Sequence, residues 1–406
     1  MSSVKEHFEI PGRYKSWSMG LMGVGILSLI IGFILYGNTD HGTRFWATLL
    51  QNSVFFLLIT NAAMFFFCAT TLAWGGWTLT FRRVTEAVSA SVIPIGIITF
   101  IILMCIVFGG KNTIYEWLDK DYVAHDEVLK GKAGFLNPTF FTIWTTLSIG
   151  LWILLGKKMR NLSREIDDKP LNLTEGKAYI WKNTVWSAIY IVWFALTVAS
   201  VTPWVWLMSI NAHWFSTMYS WYTFASTFVS GIALMTLFVV YMKNQGYLEY
   251  VNEEHLHDLG KFQFAFSIFW TYLWFAQFML IWYANISEET IYFKSRFDGA
   301  YKGIFYLNLV INFVAPLLIY MKRSSKRSYA VLVFMSVLLI FGHWLDFFQM
   351  VFPYHYPNEV PMNLFDFGVA LGFVGLIMWQ TAQVLAKYPL LAKHHPFLKE
   401  SIIHHT

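Results

Sequence analysis

FWATLLQNSVFFLLITNAAMFFFCATTLAWGGW, residues 45–77, is an apolar run longer than a bilayer requires. About 20 residues, rising roughly 1.5 Å each, cross a hydrocarbon core about 30 Å thick. Lipid offers no partner for a free backbone N–H or C=O, so such a run must be helical, and one this long should tilt or project beyond the membrane. Nine further runs of spanning length lie at 16–36, 86–108, 138–156, 177–201, 215–241, 262–284, 301–321, 329–351 and 363–386. Together they occupy most of the 406 residues. Hydrophobic side chains make up 56% of the chain, charged ones 13%, and the mean hydropathy is +0.49. Soluble domains carry about 25% charged residues, so this composition needs lipid to cover it. A β-barrel is excluded, because its strands would be shorter and would alternate polar with apolar.

The expected fold is therefore an all-α polytopic membrane protein of ten helices. Lys and Arg set its orientation. With both termini cytoplasmic, 21 of the 29 lie inside, Lys5, Arg82, Arg83 and Lys169 among them. The other eight are Arg44, Lys111, Lys120, Lys130, Lys132, Lys294, Arg296 and Lys302. This positive-inside bias accounts for the net charge of +5 without nucleic acid. The first span has no small-x-small cleavage site after it and is expected to be retained. Trp17, Trp77, Trp204, Trp206, Trp214 and Trp282 fall near span ends, where aromatic belts form at headgroup level.

Redox groups held by the chain itself are not expected. Its two cysteines, Cys68 and Cys105, lie in separate spans, with no haem-attachment motif and no iron–sulfur cluster pattern. A b-type haem needs two facing histidines, and only His343 deep in a span and His213 at an outer rim are available. The run Glu253-Glu254-His255-Leu256-His257-Asp258 suggests a metal, but histidines two apart do not share a helical face. Asp258 reads better as the N-cap of the seventh span.

Polar groups inside the spans are more informative. Asp346 and His343, three residues apart, share a face of the ninth span about six residues from its outer end. A carboxylate there costs about 2.5–3.5 kcal/mol on insertion scales, so the pair is either functional or a tie between helices. The sixth span carries Ser216, Thr217, Ser220, Thr223, Ser226, Thr227 and Ser230 on one stripe. The seventh carries Gln263, Ser267 and Thr271, below a mouth lined by Glu253, His255, His257 and Asp258. These stripes either pack helices or form two aqueous half-paths for protons that meet at a sixth–seventh seam. RFWAT at 44–48 and HWFST at 213–217 each open a long span followed by three more. That hints at two parallel four-helix bundles flanked by spans one and ten. The segments would be 1–44, 45–201, 202–353 and 354–406.

Three stretches carry a resemblance: 213–293 (HWFSTMYSWYTFASTFVSG, EEHLHDLGKFQFAFSIFW, FAQFMLIWYANISEETIYF), 45–94, and 342–353 (GHWLDFFQMVFP). They resemble the ActF-type subunit of alternative complex III, within the NrfD/polysulfide-reductase family. The resemblance implies two four-helix bundles in a bacterial inner-membrane complex that oxidises quinol and passes electrons to cytochrome c or a terminal oxidase. It implies that c-type haems and iron–sulfur clusters sit in partner subunits, beside a sister NrfD-like subunit to which quinol binding is usually assigned. Four functions stay open: a non-redox subunit with a proton path, a subunit that itself binds quinol near the outer side, a secondary transporter, and a scaffold. A transporter would favour inverted repeats and broken helices, whereas the repeat here is parallel.

Overall fold

The computed structural model describes residues 6–167 and 170–405, apart from the side chains of Asp40 and His41. Lys5 and Lys169 of the charge tally fall outside these residues. Ten helical stretches are long and apolar enough to cross a membrane, and no strand occurs among the described residues. In chain order the helices are α1 (Gly12–Tyr36), α2 (Thr43–Leu72), α3 (Arg82–Ser89), α4 (Val92–Phe108), α5 (Lys120–His125) and α6 (Glu127–Lys132). Then come α7 (Pro138–Arg164), α8 (Leu173–Leu196), α9 (Thr202–Trp206), α10 (Met218–Asn244), α11 (Glu253–Ala284) and α12 (Ser287–Phe297). The last are α13 (Lys302–Leu309), α14 (Ala315–Tyr320), α15 (Tyr329–His355), α16 (Leu364–Lys387) and α17 (Leu398–Ile402).

Prolines explain the interruptions. Pro94 cannot donate to residue 90 and its ring crowds that carbonyl, so the third span divides between α3 and α4 at Ala90 and Ser91. Pro203 and Pro316 act less harshly. Each follows a π-helical turn (Thr197–Val201 and Val310–Val314) that widens the helix around the carbonyl four residues earlier. The second span sheds its surplus length as a turn. The helix ends at Leu72, Trp74 adopts a positive φ, and Gly76–Thr80 continues as a 3₁₀ stretch. Four spans start on asparagine caps, Asn137, Asn172, Asn252 and Asn363, whose side chains accept the otherwise unpaired first-turn N–H groups. The seventh span thus begins at Glu253, capped by Asn252, and Asp258 lies a turn and a half inside it instead of capping it.

The first ring of helices packs α2 on α4, α4 on α7, α7 on α8 and α8 back on α2. The second packs α10 on α11, α11 on α14, α13 on α15 and α15 back on α10. The rings meet where α2 lies along α10, and these two are the most enclosed spans. Spans one and ten pair with each other and lean on α2 and α3. The first described residues and the C-terminal segment share one face, where Leu390 donates its backbone N–H to Glu6 O (2.8 Å). We call this the terminal face and its opposite the far face. Of the tryptophans expected at the interfaces, Trp17 and Trp282 are about two-thirds exposed, while Trp206 and Trp214 are buried.

Spans one and ten approach closely because small residues face each other. A Cβ on Gly25 would lie 2.4 Å from the Cα of Gly372, and one on Gly375 would lie 2.7 Å from the backbone N of Met22. Most of the remaining surface of α1 is exposed and apolar, so this seam is its main attachment. Gly25→Val should therefore detach α1 from α16 and leave the two rings folded. Loss of a disulfide crosslink between cysteines placed at facing positions of α1 and α16 other than 25 and 372, with unchanged helix content, would report it. An intact crosslink would overturn the close-packing account.

Candidate functional site

The interior of the second ring holds two polar knots, each drawing one side chain from every span of the ring. Near the terminal face, Gln263 on α11 donates to Thr236 of α10 (2.9 Å) and Ser336 of α15 (3.0 Å). Its Oε1 accepts from the Tyr320 hydroxyl of α14 (2.6 Å). Deeper toward the far face, Asp346 of α15 accepts at Oδ1 from the Tyr222 hydroxyl of α10 and from Asn308 Nδ2 of α13 (3.1 Å). Trp270 Nε1 of α11 donates to its Oδ2 (3.1 Å). Asp346 is 2% exposed. The ninth span runs on to His355, so Asp346 stands nine residues from its end, about 13 Å at 1.5 Å per residue, instead of six.

His343, one turn from Asp346, is fully buried. Its Nδ1 is 4.0 Å from Asp346 Oδ2 and 3.0 Å from Ser226 Oγ, and Trp270 meets its ring edge-on. Its Nε2 has no partner. Further orphans belong to the same interior, among them Ser267 Oγ on α11 and Asn312 Oδ1 in the π turn of the eighth span. That turn points Asn308 and Asn312 inward together, and Asn312 donates to Asn308 Oδ1 (2.6 Å). Gly342 permits it, since a Cβ there would sit 2.2 Å from Asn312 Oδ1. A buried polar atom left unpaired costs about 1–3 kcal/mol, which an internal water removes.

The structure moves the polar column away from the sixth–seventh seam. Those two spans do pack together, but where α10 and α11 face the first ring the seam is aromatic, with Phe228 and Phe266 at 4.4 Å. Most hydroxyls of the stripes bond backbone carbonyls. Ser230 donates to Ser226 O, Thr271 to Ser267 O, and Ser220 to Ser200 O in the π turn of the fifth span. These three serve helix packing, whereas Ser226, Gln263 and Ser267 face the ring axis. The mouth is also covered. His255 completes the Asn252 capping box, and His404 of the C-terminal segment bonds Asp258 Oδ2 (2.6 Å). Lys261 pairs with Asp258 Oδ1 (2.5 Å), His257 lies 3.9 Å from Glu254 and from Asp258, and only Glu253 is exposed. His213 is on no spanning helix. It lies exposed in the turn before α10 and bonds Asp126 (2.7 Å), whose carboxyl is held below the usual range by the Leu129 N–H and by His213.

A far-face cavity of about 180 Å³ lies above this site. Trp214 and Tyr292, stacked at 4.0 Å, form one wall, and Tyr354 and Pro353 form another. Burial pushes the Tyr292 hydroxyl up from its ordinary value. Tyr292, Arg296 and Met350 separate this vestibule from a gap of about 20 Å³ that touches Asp346, Asn308 and Gln277. Arg296 is held by the carbonyls of Gln349 (3.0 Å) and Tyr292 (2.5 Å), with no carboxylate at ion-pair distance among the described residues.

Sequence reasoning missed Tyr222, Trp270, Asn308, Asn312, Tyr320, Ser336 and Arg296. Asn308 and Asn312 carry a readable sign, two amides four apart in an apolar span. Tyrosine and tryptophan carry none, because their ring bodies read as lipid-facing bulk. No group of three or more His, Cys, Asp or Glu is placed to hold a metal among the described residues. No known protein-family model matches the chain, and no curated protein matches it significantly.

Proposed function

We propose that this chain is an integral subunit of a quinol-oxidising electron-transfer complex in the bacterial inner membrane, with both termini cytoplasmic. It holds no redox cofactor itself and carries protons beside a sister NrfD-like subunit. The observation that carries the proton role is Asp346, a carboxylate enclosed by four spans, beside a histidine with a free Nε2. A fully satisfied tie between helices needs no orphans, whereas a relay needs groups that can exchange partners through water. Asp346 and His343 act together: a proton arriving from the far-face vestibule past Tyr292 rests on either. It passes on through waters at Ser267 and Asn312 to the Gln263 knot, and leaves past Asp258 and His404. The membership itself rests on the resemblance of the 45–94, 213–293 and 342–353 stretches.

The aromatic vestibule favours a second reading, in which this subunit binds a quinol headgroup there and His343–Asp346 accept its proton. Partners separate both readings from a transporter. The chain should co-purify in mild detergent with c-type haem and iron–sulfur proteins, read as haem and iron content in the same gel-filtration peak. A colourless, active single polypeptide would sink the assignment. Photo-crosslinking by an azido-quinone then distinguishes the two, since labelling of the Trp214–Tyr292 wall is expected only if quinol binds in this chain.

A further inference from the structure

The first ring carries a buried cluster of charge that the proton path does not use. Glu86 on α3 is flanked by Arg83 (2.9 Å), Arg82 (3.6 Å) and Arg164 (3.7 Å). Arg83 also pairs with Asp167, and Arg160 donates to Ser89 (3.2 Å). Among the described residues this cluster has four guanidiniums and only two carboxylates. Buried positive charge in excess is costly unless an anion joins it. Part of the surplus lies at Arg82. Arg82 is 6% exposed, and its Nη2 has no hydrogen-bond partner. It forms one wall of a cavity of about 20 Å³ at the terminal face, with His395 of the C-terminal segment opposite.

The tautomer of His395 sharpens the argument. Its Nδ1 accepts the backbone N–H of Phe397 (3.2 Å). Burial and then the charges of Arg82 and Arg83 push its pKa down to about 2, so the ring is neutral and, with Nδ1 accepting from Phe397, carries its one proton on Nε2. That N–H lies 3.4 Å from Arg82 Nη1, which can only donate. In that tautomer two donors face each other, and in either tautomer Arg82 Nη2 is left without an acceptor. The gap admits about one oxygen atom. Trp74 in its rim and nearby Trp181 are both more than half exposed, as aromatic residues at headgroup level are.

We propose that this cavity binds a phosphate oxygen, supplied by the headgroup of an anionic phospholipid, between Arg82 and the Nε2–H of His395. The proposal is independent of the proton-path reading. Asn183 in the same wall has an Oδ1 without a donor, so a lone water is the competing occupant.

The detergent-purified full chain, in whatever complex it forms, is titrated with dioleoylphosphatidylglycerol or with sodium phosphate, and its unfolding midpoint is followed. Phosphatidylglycerol should raise the midpoint of the wild type. In Arg82→Gln, which keeps donors but loses the charge, about tenfold more lipid should be needed for the same rise. Lys182→Gln, which removes an exposed ion pair with Glu165, should behave as wild type. A rise with sodium phosphate alone, lost in Arg82→Gln, keeps the oxyanion site and assigns it to a free ion. Equal response of wild type and Arg82→Gln, or no response to either probe, overturns the proposal and leaves a water in the gap. If Arg82→Gln does not accumulate, His395→Phe, beyond the last span, is read by the same criteria.

Discussion

Asp346→Asn should lower turnover of the assembled complex about a hundredfold, at the lower end of what a positioned acid–base group contributes, while complex yield falls far less. The amide has nearly the shape of the carboxylate. It keeps an acceptor for the Tyr222 hydroxyl and Asn308 Nδ2, and sets an NH₂ against Trp270 Nε1, where a carboxylate oxygen now accepts. One buried hydrogen bond is lost, worth about 1–3 kcal/mol, and that is the whole of the expected structural penalty. What disappears entirely is a group that can hold a proton beside His343. Turnover and yield should be measured on the same preparation. If both fall together, Asp346 is a tie between four helices and the proton role fails.

The largest effect on stability should come from Arg44→Leu. Arg44, at the far-face end of α2, is 4% exposed and forms a two-pronged pair with Asp366 of α16, which is fully buried. Thr48 also donates to Asp366 Oδ1 (2.9 Å), and Arg44 Nη2 donates to Pro361 O (2.7 Å). Removing one member of such a pair leaves a buried charge unmatched, at a cost of about 3–5 kcal/mol. Asp366 would be left with Thr48 and the Asn363 N–H of its own capping box (2.9 Å). Adding Asp366→Asn to Arg44→Leu removes the stranded charge and keeps that cap, so the double variant should unfold at a higher temperature than the single one. Thermal unfolding in detergent decides the matter. A double variant no better than Arg44→Leu would mean that the two charges are not coupled.

The candidate site was legible in part. Asp346 and His343 stand out in any reading of the chain because each is an ionisable group in an apolar run, and three residues of helix put them on one face. Ser220, Ser230 and Thr271 stand out equally, yet their hydroxyls bond backbone carbonyls and link no neighbouring side chain. Spacing could not separate the two cases, because a hydroxyl in a helix always has a carbonyl within reach on its own strand of chain, and only the rotation of the helix shows whether a better partner stands opposite.

Hydropathy and length by themselves determined the solvent, the number of spans and their helical form. Those are local quantities: lipid penalises each bare peptide group and each charge where it stands, whatever the rest of the chain does. Asparagine at the helix starts and proline within the spans are local in the same sense, and at the seventh span the cap is Asn252 instead of the acidic Asp258. Tertiary structure alone decided that Tyr222, Trp270 and Asn308 converge on Asp346, that a π turn points two amides inward, that the C-terminal segment covers the α11 mouth, and that four arginines share two carboxylates. Each of those outcomes depends on how one helix is rotated against residues tens or hundreds of positions away, and a polar side chain near the middle of a membrane takes whichever partner that packing brings within about 3 Å.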